Sequence, residues 1–224
     1  KLIIFLCKKY NWYDEVDPRK VHKGQIPRLG GIGIFVSFFT AMCLYVFLFS
    51  KEDLKYAIPA CAGAFIIFLF GIIDDFMNLR AKLKFVIQIL SALIVACSPL
   101  YFNNFLGIKI PHIIGRIITF GWILFLVNAY NLIDGLDLLC GGLSFLTIFT
   151  SGIFMLVAGQ SVGNIYLILC AAILGFLIFN KPPAKIFLGD GGSQTLGFAI
   201  AIFPLFPLQG NLQYTKILVA LLLV

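Results

Sequence analysis

The sequence predicts an all-α fold, a polytopic transmembrane helix bundle of about seven complete spans plus two partial terminal ones. Three observations carry that prediction. Of the 224 residues, 61% are hydrophobic and 12% charged, and the mean hydropathy is +1.01. Soluble domains carry about 25% charged residues, so this chain has too little charge to coat a globule. The apolar residues also fall into long runs separated by short polar connectors, and in lipid such runs satisfy their backbone as helices rather than as barrel strands. Together these features exclude a disordered tail, a collagen-like repeat and an ordinary soluble enzyme. Seventeen Lys and Arg against ten Asp and Glu give a charge of +7. The cations are scattered between apolar runs rather than gathered on one polar face, which argues against a nucleic-acid binder.

In order, the runs are a partial one at 2–7, then 32–49, 57–73, 85–100, 113–129, 143–158, 165–179 and 195–208, and a partial one at 217–224. A span takes about 20 apolar residues. The two end runs are shorter and read as pieces of spans, so residues 1–224 are expected to form one integral-membrane domain truncated at both ends. The six cysteines, at 7, 43, 61, 97, 140 and 170, form no CxxC pair. Neither a disulfide framework nor a zinc site is expected.

The connectors alternate in charge. Those at 7–29, 74–84, 131–142 and 180–193 hold Lys8, Lys9, Arg19, Lys20, Lys23, Arg28, Arg80, Lys82, Lys84, Lys181 and Lys185, whereas the opposite set holds only Lys51, Lys55, Lys109, Arg116 and Lys216. Cationic loops stay in the cytoplasm, so the first set is cytoplasmic. Asp14, Glu15, Asp17, Asp74, Asp75, Asp134, Asp137 and Asp190 lie on that same side, and only Glu52 and Asp53 lie opposite. A solubility effect would not collect carboxylates where the cations already are; a site would.

Four stretches carry the chemistry. Gly71-Ile-Ile-Asp74-Asp75 places two carboxylates at the C-terminal end of a span, where the helix dipole disfavours anions. A compensating cation is expected there: Mg²⁺, Lys84, or both. The plainer alternative is a solvated pair that ends a span. Lys84 opens the next run with Gln88 one turn on; it either snorkels or faces a phosphate. In Asn128-Ala-Tyr-Asn131-Leu-Ile-Asp134-Gly-Leu-Asp137, residues 128, 131 and 134 share a drifting helix face. Amide and carboxylate oxygens without His or Cys suit Mg²⁺ or Mn²⁺, and helix capping accounts for only one of them. In Phe187-Leu-Gly-Asp190-Gly-Gly-Ser193, Asp190 sits in a Gly-rich turn. Its amides could cradle phosphate oxygens, or Ser193 could simply cap the following helix. The basic stretch 18–28 either faces a pyrophosphate or sets topology.

In combination these stretches resemble the polyprenyl-phosphate N-acetylhexosamine-1-phosphate transferase family. The matching residues are 19–31, then Gly71 to Asp75 with Lys84 and Gln88, Asn128 to Asp137, and Phe187 to Ser193 with Leu196-Gly197. The resemblance implies that a membrane polyprenyl (undecaprenyl) phosphate attacks a UDP-N-acetylhexosamine, most simply the N-acetylglucosamine donor, and releases UMP. It implies Mg²⁺, with Mn²⁺ as the alternative, on Asn131 and Asp190. It gives catalytic roles to Asp74 and Asp75 at the lipid phosphate and to Asp134 and Asp137 near the nucleotide and metal. Lys84, His22, Lys23, Arg28 and Asn128 are its phosphate- and substrate-binding residues. It further implies a multi-pass protein of the bacterial inner membrane with a cytoplasmic active site, no nucleic-acid partner, and a homodimer as an open option. Two departures stand out. Leu138 and Cys140 replace small residues that the family usually has in this stretch, and the family's His- or Arg-containing nucleotide-sugar loop should follow the last run. The alternatives are the N-acetylmuramoyl-pentapeptide phosphotransferase branch, a non-catalytic relative and, from another class, a transporter. Against a transporter, the carboxylates crowd one mouth rather than the midplane, and there is no internal repeat.

Overall fold

The computed structural model describes residues 2–10, 12–13, 26–49, 54–105 and 108–206. The expected phosphate-binding residues His22 and Lys23, and the run 217–224, lie outside the described residues. Eight helices are described: α1 (Leu2–Tyr10), α2 (Gly30–Phe49), α3 (Leu54–Met77), α4 (Ala81–Ala96), α5 (His112–Ile133), α6 (Leu139–Val157), α7 (Gly163–Asn180) and α8 (Asp190–Ile202). Between α4 and α5, β1 (Asn104–Phe105) pairs antiparallel with β2 (Ile108–Lys109). A 3₁₀ turn at Phe203–Leu205 follows α8.

The all-helical expectation holds. Against about seven expected spans, four helices among the described residues are long and apolar enough to cross a membrane: Tyr56–Met77, His112–Ile133, Leu139–Val157 and Gly163–Asn180. α2 contributes a shorter apolar stretch, Gly30–Tyr45. The runs expected at 85–100 and 195–208 become helices of 16 and 13 residues, short of the roughly 20 that a straight crossing needs. Pro204 turns the chain into the 3₁₀ turn and ends α8. No more than 39% of the apolar window of each span is buried inside the protein, and Phe47, Leu132 and Val157 are each more than four-fifths exposed. Such a surface is stable against lipid.

α8 is the hub of the bundle, packing on α2, α3, α5 and α6. Its glycines permit this. A Cβ on Gly71 of α3 would come within 2.5 Å of Gly191, and one on Gly31 of α2 within 2.4 Å of Gly192. Small residues at both sides of a crossing let membrane helices approach closely. Below them Phe198, Ile200 and Ala201 are fully buried, and Trp122 of α5 donates its indole N–H to the Ala201 carbonyl at 3.1 Å.

Three boundaries differ from the sequence reading in ways that matter for the site. α3 runs on to Met77, so Asp74 and Asp75 lie within its last turn. α5 runs to Ile133 and contains Asn128 and Asn131. Asp190 is the first residue of α8, with Gly189 as N-cap instead of Ser193.

Candidate active site

The carboxylates of the α3 end meet α4 through a tight connection. Asn78 takes the left-handed conformation at φ 48°, which Asn tolerates better than most residues, and its N–H bonds the Asp74 carbonyl at 2.9 Å. The Asp74 Oδ1 then accepts the Leu79 N–H at 2.7 Å. Arg80 is extended and hands the chain into α4, so Lys84 arrives opposite Asp74. Asp74 is buried, with its Oδ2 ion-paired to the Lys84 ammonium. Lys84 thus supplies a compensating cation of the kind that the dipole argument demands.

Asp190 comes from the other end of the chain. The stretch before α2 and the stretch before α8 run side by side: Phe187 N–H donates to the Pro27 carbonyl at 2.8 Å, Gly30 N–H to the Phe187 carbonyl at 2.9 Å and Gly31 N–H to the Leu188 carbonyl at 2.9 Å. Gly189 then turns at φ 78°, where any side chain would strike the Arg28 carbonyl at 2.1 Å. As a result one Asp190 oxygen lies 3.0 Å from the Lys84 Nζ and the other 3.5 Å from an Arg28 guanidinium nitrogen. Two carboxylates and two cations, from three parts of the chain distant in sequence, form one alternating cluster whose four formal charges cancel.

Asp75 points elsewhere. Its two oxygens accept the N–H groups of Asp190 at 2.7 Å and Gly191 at 3.0 Å. The N–H groups of Gly192 and Ser193 return to the Gly189 carbonyl at 3.0 and 2.9 Å. The amides that the sequence offered to a phosphate are thus taken up by Asp75 and the backbone, a correction that follows from the missing intrahelical partners of a helix N-terminus.

Asn131 joins the cluster through Ser193, whose hydroxyl donates to the Asn131 Oδ1 at 3.0 Å. Asp134 is the C-cap of α5. Burial pushes its carboxyl from the ordinary 3.8 to about 7; the Arg28 charge and the Gly189 N–H oppose the rise, and Asp190 adds to it. Asp137 reaches the 181–188 connection, accepting the Ala184 N–H at 3.1 Å. Asn128 is drawn one turn deeper, its Nδ2 donating to the Gln88 Oε1 at 2.9 Å and to the Leu124 carbonyl at 2.8 Å.

Three polar residues of this end carried no role in the sequence reading: Gln194, Asn180 and Ser193 as a partner of Asn131. Asn180 is buried; its amide oxygen accepts the Leu138 N–H at 2.9 Å and its Nδ2 donates to the Ile186 carbonyl at 2.9 Å. Gln194 lies one helical turn from Asp190, and that spacing was the available signal.

Among the described residues no three His, Cys, Asp or Glu side chains gather as a ready metal cage. The two residues that the resemblance assigns to the metal, Asn131 and Asp190, offer an amide and a carboxylate oxygen, both hard donors, and the Ser193 hydroxyl lies 3.0 Å from the Asn131 Oδ1 and 3.5 Å from the Asp190 carbonyl. Mg²⁺ is typically held by one or two carboxylates, substrate phosphates and waters, and these residues fit that pattern.

Comparison with known proteins identifies the family. The glycosyl transferase family 4 profile matches residues 57–207, which include the Asp74, Lys84, Asn131 and Asp190 stretches. A protein of Bacillus subtilis (strain 168) named probable undecaprenyl-phosphate N-acetylglucosaminyl 1-phosphate transferase is 35% identical over 219 residues, covering 94% of this chain and 59% of the relative. The undecaprenyl-phosphate alpha-N-acetylglucosaminyl 1-phosphate transferase of Thermotoga maritima is 30% identical over 94% of this chain and 62% of its own length. The phospho-N-acetylmuramoyl-pentapeptide-transferase of Thermotoga neapolitana is 34% identical over 81% of this chain and 60% of its own length. The chain belongs to glycosyl transferase family 4. It spans about three-fifths of the length of these curated relatives.

Proposed function

We propose that the protein transfers N-acetylglucosamine 1-phosphate from a UDP-sugar to undecaprenyl phosphate and releases UMP. The observation that carries this reading is the Lys84 ammonium shared by Asp74 and Asp190, with Arg28 on the second Asp190 oxygen. Phosphoryl transfer asks a protein for alignment and charge neutralisation more than for covalent chemistry, and this cluster supplies both. The names of the relatives supply the substrate class.

In the proposed reaction Asp74 takes the proton of the lipid phosphate hydroxyl, and the freed oxygen attacks the β-phosphorus of the sugar nucleotide. The bond from that phosphorus to the bridging oxygen breaks, and UMP leaves with the electron pair. Lys84 and Arg28 hold phosphate oxygens against the developing charge. The cluster is formally neutral by itself, so the charge of a pyrophosphate and an acceptor phosphate requires a further cation. Asn131 and Asp190 would hold Mg²⁺, which supplies charge neutralisation across the pyrophosphate when bound. Asp75 acts as a support that fixes Asp190, and Asp134 and Asp137 flank the nucleotide side. On this reading the mouth opens to the cytoplasm, which the Lys- and Arg-rich connectors support, and the protein resides in the bacterial inner membrane.

A second reading is favoured by the 34% identity to the Thermotoga neapolitana pentapeptide transferase: the donor is UDP-N-acetylmuramoyl-pentapeptide. The test is UMP release by full-length protein given undecaprenyl phosphate, Mg²⁺ and a panel of UDP-N-acetylhexosamines. Release with UDP-N-acetylglucosamine is expected. Release with the pentapeptide donor alone selects the second reading, and no release with any donor overturns both.

A further inference from the structure

α3 and α5 each pack against both α4 and α8, so α4 and α8 face one another across the gap between them. Two rungs of side chains cross that gap. The outer rung is Lys84 to Asp190 at 3.0 Å. The inner rung lies one helical turn deeper on both helices, where Gln88 Nε2 donates to Gln194 Oε1 at 3.1 Å. Gln88 and Gln194 are only 3% and 5% exposed. The Gln88 amide oxygen accepts from Asn128, whose Nδ2 also donates to the Leu124 carbonyl of its own helix. The chain α5 to α4 to α8 is therefore directional, and each amide is held by its neighbour.

Burying amides costs free energy that apolar side chains would avoid, and Leu126 and Val127 of α5 and Leu196 and Phe198 of α8 belong to the buried apolar core. We propose that Gln88 and Gln194 are positioning residues, which hold α4 and α8 at the separation and register that let Lys84 reach Asp74 and Asp190 together. Neither touches substrate. They act through the outer rung, as a second cross-brace at the same i, i+4 spacing. The proposal rests on the transferase reading for its catalytic consequence but not for its geometry.

The test uses full-length protein and the variants Gln88→Leu, Gln194→Leu and the double variant. Gln194→Leu leaves the Gln88 Nε2 without its acceptor, Gln88→Leu takes a partner from both Gln194 and Asn128, and each lowers the melting temperature; the double variant leaves Asn128 its bond to the Leu124 carbonyl and melts above Gln88→Leu. If the rung only stabilises, activity recovers too. If it positions, kcat of the double variant stays about ten- to a hundredfold below wild type with KM for the sugar nucleotide within about twofold, as expected for a small misplacement of a catalytic group. Gln194→Met, a milder change, shows the same split of kcat from KM if the double variant does not fold. Wild-type kcat in the double variant or in Gln194→Met overturns the proposal, as do single leucine variants that melt with wild type. Wild-type UMP release is the separate control for the transferase reading, and the melting temperatures report on the rung without it.

Discussion

Replacing Asp75 with alanine tests the central geometric claim about α8. In the native protein both Asp75 oxygens accept the first two N–H groups of α8, at 2.7 and 3.0 Å. Asp75→Ala takes the acceptor from both donors beside the close approach of Gly71 to Gly191. An unsatisfied buried donor costs about 1–3 kcal/mol, and a lost carboxylate at a helix N-terminus about 0.3–1 kcal/mol more. Asp75 is half-buried, so water restores part of the loss, and the lower half of the range applies: about 2–4 kcal/mol. For a chain of this size that is a melting shift of roughly 5–15 °C. Asp75→Asn falls between, because its amide oxygen accepts one N–H while its NH₂ opposes the other. Thermal unfolding of the purified protein in one fixed detergent measures all three. The contrast is Asp74→Asn, which keeps an acceptor for the Leu79 N–H and leaves Asp190 on Lys84; it should melt closer to wild type than Asp75→Ala. An Asp75→Ala protein that melts within about 2 °C of wild type would refute the capping argument.

Other outcomes follow from individual residues. Leu138 sits at φ 68°, a conformation that costs a side chain about 1–2 kcal/mol; Leu138→Gly should therefore be neutral to about 1 kcal/mol more stable despite the flexibility of glycine, and a loss of stability would contradict it. Asp134 binds a proton more tightly folded, near 7, than unfolded, near 3.8. The unfolded chain thus ionises first, and the protein loses stability relative to Asp134→Asn as the pH rises from about 4 to about 7; parallel pH profiles of the two would refute this. On the proposed reaction, Asp190→Asn and Asn131→Ala should each raise the Mg²⁺ concentration needed for UMP release or abolish it, and unchanged metal dependence in both would remove them from the metal site.

Much of the site was legible because the chain is so apolar. Asp74, Lys84, Asn131, Asp134 and Asp190 are conspicuous among residues that lipid would accept, and the alternating charge of the connectors put them at one end. What could not be read was which carboxylate does what. Asp74 and Asp75 are adjacent and share a dipole argument, yet the helical turn of 100° sends one to Lys84 and the other to the α8 amides. The start of α8 was obscured for a related reason. Gly189, Gly191 and Gly192 are poor helix formers and read as a loop, whereas the fold uses them for contact with α2 and α3, a tertiary demand invisible in local pattern. Gln194 was hidden by its company, a lone amide at the head of an apolar run whose partner lies 106 residues away. Hydropathy runs also do not register where Pro204 or a cap ends a helix, so α8 stops short of the end of its apolar run.

The most direct measurement of the account is kcat of Lys84→Met in the full-length protein, with folding verified by melting and with undecaprenyl phosphate, sugar nucleotide and Mg²⁺ saturating. Among the described residues Lys84 is the cation that touches both Asp74 and Asp190, and loss of a preorganised donor at a developing charge costs about 10²–10³ in rate. The account predicts a folded protein at least a hundredfold slower than wild type. A folded Lys84→Met protein within tenfold of wild type would contradict it.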